Sequence, residues 1–183
     1  MILPIYGYGH PVLRKVGKDL DSDFDGLHEL IANMWETMYN AKGVGLAAPQ
    51  IGLAIRLFLV DSEQLTDPER SKDGIRKVFI NAQIISKGKD LVEHEEGCLS
   101  IPEIYGDVSR EDSIQIVYLN EKFEPVSESY SGYTARIILH EYDHIEGKLF
   151  IDHLKPLKKK RIQRKLEDLK KGITEVKYKM KFA

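Results

Sequence analysis

The chain has 183 residues, 42% of them hydrophobic and 31% charged, and its 27 Lys and Arg nearly balance 29 Asp and Glu, for a formal charge of −2. These values are ordinary for a globular protein, and residues 1–183 are expected to form a single domain. No stretch approaches the roughly 18 continuous apolar residues of a membrane span, so a membrane-embedded protein is excluded and neither membrane nor DNA is expected as a partner.

Met1-Ile-Leu-Pro-Ile-Tyr lacks the basic start, apolar run and small-residue cleavage site of a secretory signal, which points to a cytoplasmic location. Leu27, Leu30, Ile31, Met34, Trp35 and Met38 then recur at helical spacing, with Asp23 or Asp25 as the expected cap and Gly43 as the expected stop. After "GVGLAAPQIG" come three runs rich in β-branched residues, 54–61, 76–85 and 113–120, which predict strands. Between the first two, residues 62–74 are highly charged and aperiodic, the pattern of a mobile surface loop. Ile137, Ile138, Tyr142 and Ile145 resume a helical pattern between Tyr133 and the terminating Gly147. A C-terminal basic helix is expected over 155–173, with Ile162, Leu166, Leu169 and Ile173 as its apolar stripe, followed by a tail over 174–183. Lys155 to Lys171 holds nine Lys and Arg against two acids, leaving 18 basic and 27 acidic residues elsewhere, a body of charge −9. Helix, then strands, then helices without βαβ alternation predicts an α+β fold.

The predicted helix over 133–147 carries "HEYDH" at 140–144. Side chains four apart on a helix project from nearly the same face, so His140 and His144 can converge on one cation. Glu141 is turned about 100° from His140, off the ligand direction and suited to act as a general base. A catalytic metal site generally has three protein ligands, and the candidates for the third are the other histidines, the acids and Cys98. Cys98, the only cysteine, cannot form an intramolecular disulfide and stands out in "EEGCLSIP". A Cys-His-His set suits Fe(II), Zn(II), Ni(II) or Co(II) and does not suit Mg(II) or Ca(II). An HExxH protease would normally recruit a His or Glu instead, and a structural zinc site would need a fourth protein ligand. His94 reads as a surface or pocket-rim residue, and Asp143 either as a support for a ligand histidine or as an exposed helix acid.

Three segments, "GVGLAAPQ" (43–50), "EGCLS" (96–100) and "HEYDH" (140–144), resemble the peptide deformylases in order and spacing. "GHPVLRKV" (9–16), "EGKLFIDHL" (146–154) and the basic C-terminal helix extend the resemblance over nearly the whole chain. Leu139 stands where the family often has Gln, and the 62–74 loop is longer and more charged than in many members. The resemblance implies a single catalytic domain of mainly antiparallel strands around a central metal-binding helix, with an N-terminal helix and the basic C-terminal one. It also implies removal of the formyl group from N-terminal formyl-methionine of nascent polypeptides, with Fe(II) as the usual metal and Zn(II), Ni(II) or Co(II) as substitutes. On that reading Cys98, His140 and His144 are ligands, Glu141 moves the proton, and Gln50 with the Leu99 backbone N–H holds the oxyanion. Val44, Gly45, Glu96, Gly97 and Leu99 line the substrate groove; Tyr133, Arg136 and Ile137 border the methionine pocket, with the Arg136 guanidinium reaching solvent. The ribosome is the expected partner of the basic helix.

Overall fold

The computed structural model describes residues 1–71 and 73–183. In chain order its elements are β1 (Ile5–Tyr6), α1 (Leu27–Asn40), β2 (Gly45–Ala47), β3 (Leu57–Asp61), α2 (Pro68–Ser71), β4 (Arg76–Lys87), β5 (Leu91–Cys98), β6 (Ile101–Glu111), β7 (Ser113–Leu119), β8 (Pro125–Ser131), α3 (Gly132–Ile145), α4 (Pro156–Lys170) and β9 (Met180–Lys181). Five strands form one antiparallel sheet in the order β2-β3-β4-β7-β8. β5 and β6 make a separate antiparallel hairpin, and β1 pairs in parallel with β9. Among the described residues no helix is long and apolar enough to cross a membrane.

The large sheet is covered on both faces, and β3 shows what that demands of a sequence. Leu57 and Leu59 enter one core with Ile31, Met34 and Met38 of α1, while Phe58 and Val60 enter a second core with Ile138 and Leu139 of α3. All four β3 side chains are fully buried, so the strand reads as a continuous apolar run instead of an alternation. A third core forms where Ile162, Leu166 and Leu169 of α4 meet Leu13, Ile104, Phe150 and Leu154. The strands over 91–111 and 125–131 were not among those expected. β5 exposes most of its side chains, β8 alternates exposed with half-buried ones, and neither supplies the apolar signal on which strand reading depends.

The helix ends differ from expectation in detail. α1 starts at Gly26 in the left-handed region (φ 73°) with no side-chain cap, so neither Asp23 nor Asp25 serves. Its stop is Lys42, at φ 56°, whose N–H donates to Tyr39 O while Gly43 N–H donates to Met38 O at 2.9 Å. This is the paired closure of a Schellman motif, with the left-handed residue one position before Gly43. α3 ends the same way at Gly147 (φ 69°), with Lys148 N–H donating to Asp143 O at 2.8 Å. α4 ends at Gly172, and Ile173, expected in the buried stripe, lies beyond that stop and is 63% exposed.

The 62–74 segment packs against the body more closely than a mobile loop would. Ser62 is fully buried with its Oγ 2.9 Å from Thr134 Oγ1, Gln64 Nε2 donates to Gly43 O at 3.0 Å, and the Arg70 guanidinium stands 4.9 Å from the Tyr133 ring centre. Lys72, within the same segment, lies outside the described residues.

Candidate metal centre and groove

His140 and His144 fall on successive turns of α3, their ring centres 5.2 Å apart. Cys98 reaches them from the end of β5, where it pairs with Ile101 of β6 and leaves Leu99 and Ser100 as the turn of the hairpin. Cys98 Sγ is 3.3 Å from His144 Nε2, and the ligand atoms of all three residues lie within 4.8 Å of one another. A tetrahedral cation about 2.3 Å from sulfur and about 2.1 Å from nitrogen needs ligand separations of about 3.4–3.6 Å, so small side-chain adjustments suffice. The donor set of one thiol and two imidazoles matches a soft or borderline divalent metal. Among the described residues, the buried side-chain polar atoms without a partner are Glu141 Oε2 and His144 Nδ1, both at this spot.

Glu96 anchors the histidine side of the site. Its carboxylate accepts from Arg110 Nε (2.7 Å) and Nη2 (3.0 Å), from Arg136 Nη1 (2.7 Å), and from His140 Nδ1 at 2.9 Å. A proton held on Nδ1 leaves His140 Nε2 as the free electron-pair donor. Burial alone would raise the Glu96 pKa, but the hydrogen bonds from His140 and Arg110 outweigh it and hold the carboxyl well below the usual range. For His140, burial lowers the pKa and the hydrogen bonds with Cys98 and Glu96 more than offset it; for His144, burial and the charge of His140 both push downward. Arg136 is therefore not a snorkelling side chain. It is buried, and its guanidinium also donates to the carbonyls of Val108 and Val92 instead of reaching solvent. Asp143 touches neither ligand histidine through its carboxylate. It accepts from Arg110 Nη1 and pairs with His153 Nε2, each at 2.8 Å, and these partners outweigh its burial to bring its pKa to about 2.

Glu141 packs its carboxyl against Gly45 of β2. A Cβ on Gly45 would lie 2.7 Å from the Glu141 carboxyl carbon, so only glycine lets the acid sit against this strand. Burial pushes its pKa up to about 7, the charge of His140 opposing the rise. Gln50 is also buried. Its Oε1 accepts from Ala47 N–H at 2.8 Å, which turns Nε2 toward Ser100 Oγ (3.3 Å) and Cys98 Sγ (3.5 Å).

These groups share a cavity of about 510 Å³ between the β2 edge, the β5–β6 hairpin and α3. Of the residues singled out from sequence, Gln50, Cys98, His140 and Glu141 line it together with Val44, Gly45, Glu96, Gly97, Leu99, Tyr133, Arg136 and Ile137, while His144 lies behind. His94 is exposed, outside the cavity, and meets Tyr133 edge to face. Arg110, Val176 and Tyr178 were missed. Arg110 carried a signal: β6 buries alternate residues from Ile104 to Arg110, so recognising that strand would have placed its guanidinium inside. Val176 and Tyr178 carried one too: with Met180 and Phe182 they alternate with Lys177, Lys179 and Lys181 at the period of a strand.

A family model described as polypeptide deformylase matches residues 2–160. The chain belongs to the polypeptide deformylase family. A peptide deformylase of Christiangramia forsetii is 52% identical, the match covering 100% of this chain and 96% of that one. The crystal structure of a plant peptide deformylase superimposes with a TM-score of 0.84 at 36% identity, covering 93% of this chain and 90% of that one. That of an Acinetobacter baumannii peptide deformylase, solved with Met-Ala-Ser bound, gives 0.77 at 31% identity over 84% of this chain and 99% of that one. The resemblance read from three motifs is thus borne out, and the chain is an enzyme that removes the formyl group from the N-terminus of polypeptides. Its family is metal-dependent, and the fold of mixed helices and antiparallel strands is the family's own.

Proposed function

We propose that the substrate is the N-terminal formyl-methionine of nascent polypeptides, cleaved to formate and a free methionyl terminus by residues 1–183 acting as one catalytic domain in the cytoplasm. Cys98 Sγ and the Nε2 atoms of His140 and His144 would hold the metal, Fe(II) in the cell with Zn(II), Ni(II) or Co(II) as substitutes. When bound there, such a cation would supply Lewis acidity and would bring the pKa of water toward ~7. Glu141 takes a proton from the attacking water and delivers it to the departing amine, a role suited to an acid whose burial brings it to about 7. Gln50 Nε2, aimed by its own Oε1 contact, and the Leu99 N–H stabilise the oxyanion as the formyl carbon becomes tetrahedral.

The peptide would lie against the edge strand at Val44 and Gly45, with Glu96, Gly97 and Leu99 opposite and the methionine side chain toward Tyr133, Arg136 and Ile137. The Met-Ala-Ser bound to the Acinetobacter relative supports a methionyl product. On the same reading the exposed Lys160, Arg161, Arg164 and Lys165 of α4 dock on ribosomal RNA through phosphate contacts.

The observation that carries this reading is the convergence of Cys98, His140 and His144 beside a buried, unpartnered Glu141 oxygen. Formate release from formyl-Met-Ala-Ser by anaerobically prepared Fe(II) or Ni(II) enzyme is expected, falling about 10²–10⁴-fold in Glu141→Ala with metal content unchanged. Activity retained in a metal-loaded Glu141→Ala enzyme would remove the role given to Glu141.

A further inference from the structure

The last residues of the chain, beyond the stretch matched by the family model, reach back to the site. From the Gly172 stop the chain passes through a bend at Lys177 and Tyr178 into β9, with Thr174, Val176, Tyr178, Met180 and Phe182 half-buried and the odd-numbered residues between them exposed. Its far end is pinned to the N-terminal segment: Ile5 N–H donates to Lys179 O (2.9 Å), Gly7 N–H donates to Lys181 O (2.8 Å), and Phe182 lies so close over Gly7 that a Cβ there would collide with the ring. Nearer α4, Thr174 Oγ1 donates to Glu103 Oε2 at 3.2 Å. Between these anchors Val176 and Tyr178 form part of the cavity wall, and the Tyr178 hydroxyl donates to Leu99 O at 2.7 Å.

The neighbouring carbonyl, Ser100 O, accepts from Tyr8 N–H at 2.8 Å, and the Ser100 hydroxyl accepts from Gln50. The turn beside Cys98 is thus gripped by two terminal segments that are themselves paired with each other. Leu99 N–H and Leu99 O lie in adjacent peptide planes that meet at the Leu99 Cα, so holding the carbonyl fixes the second plane and, through the shared Cα, limits how far the first plane and its N–H can turn. Catalysis depends on such donors being fixed before the charge develops.

We propose that Tyr178 is a positioning residue: through its hydrogen bond to Leu99 O, the C-terminal tail fixes the backbone whose N–H serves the oxyanion. The inference rests on the role given to Leu99 above. Its test compares metal-loaded full-length enzyme with Tyr178→Phe, which keeps the ring, and with Phe182→Ala, which loosens the tail away from the cavity. In both variants kcat for formyl-Met-Ala-Ser should fall about 10-fold or more, as misplacement of a reacting partner does, with KM within about twofold and metal content unchanged. Hydrogen exchange, which needs no turnover, should quicken at the Leu99 and Ser100 amides in both. A parent without activity would overturn the deformylation reading alone, and exchange would still decide the clasp. Unchanged exchange, or unchanged kcat in an active background, overturns the role of Tyr178.

Discussion

Glu96 shows how much one residue's meaning depends on its partners. From sequence it is an acid beside a cysteine and a candidate for the groove wall; in the fold it is the acceptor shared by His140, Arg110 and Arg136. Glu96→Gln removes the carboxylate paired with Arg136 and one of the two paired with Arg110, and leaving a buried ion without its partner costs about 3–5 kcal/mol. On the proposed reading of His140 as a metal ligand, loss of the contact that orients it also weakens metal binding about 10–100-fold. Thermal unfolding and metal retention against a chelator should therefore both worsen in this variant. A rise in KM with stability and metal retention intact would return Glu96 to a simple lining role.

At the scale of elements, α3 works as a catalytic support because its end is held as firmly as its face. Gly147 occupies the left-handed region, and a Cβ there would lie 2.7 Å from the carbonyl oxygen of Arg14. An L-residue in that conformation costs about 1–2 kcal/mol before the steric clash is added, so Gly147→Ala should lower unfolding free energy by about 2 kcal/mol or more. Urea denaturation measures it, and a loss under about 0.5 kcal/mol would contradict the assignment. On the sheet, Glu128 of β8 accepts from Lys77 of β4, Tyr118 of β7 and Tyr130 of β8, tying three strands together. Burial raises its pKa, but hydrogen bonds from Lys77, Tyr130 and Tyr118 lower it further, for a net depression. The folded state therefore prefers the ionised form. That contribution is present in full above the ordinary carboxylate pKa of about 4.3 and is lost as pH falls through the depressed folded value. Glu128→Gln should melt at a lower temperature than the parent at pH 7, the gap narrowing below about pH 4; a gap independent of pH would refute the charge-based account.

For the whole molecule, α4 has two faces with different work. Ile162, Leu166 and Leu169 close the third core, so truncation before Pro156 would expose Leu13, Phe150 and Leu154 and confound any binding test. Replacing Lys160, Arg161, Arg164 and Lys165 with Gln leaves that packing alone, because these side chains are exposed and make no ion pair among the described residues. Co-sedimentation with ribosomes should weaken, its dependence on log salt falling by roughly one unit for each phosphate contact removed. Unaltered co-sedimentation would leave this face merely solvated.

The metal-site candidates were legible because their pattern is local: His140 and His144 stand four positions apart, helix geometry converts that spacing into a shared face, and the sole cysteine sits in a distinctive turn. Helices α1, α3 and α4 and strand β3 followed from equally short-range signals, whereas the family resemblance needed three motifs spread over the chain. What the amino-acid order alone did not determine was how distant segments meet. Arg110 and Arg136 converge on Glu96, Gly45 makes room for Glu141, the charged 62–74 segment packs on Thr134 and Tyr133, and a polar tail returns to hold Leu99. A largely polar strand such as β5 carries no apolar period, and the alternation of Val176, Tyr178, Met180 and Phe182 marks an inward face without saying what it meets, since such positions come from backbone pairing and from contacts whose partners are far away in sequence. Helix periodicity presents the candidate ligands; only the closed fold supplies the charges, clearances and anchors that set them in place.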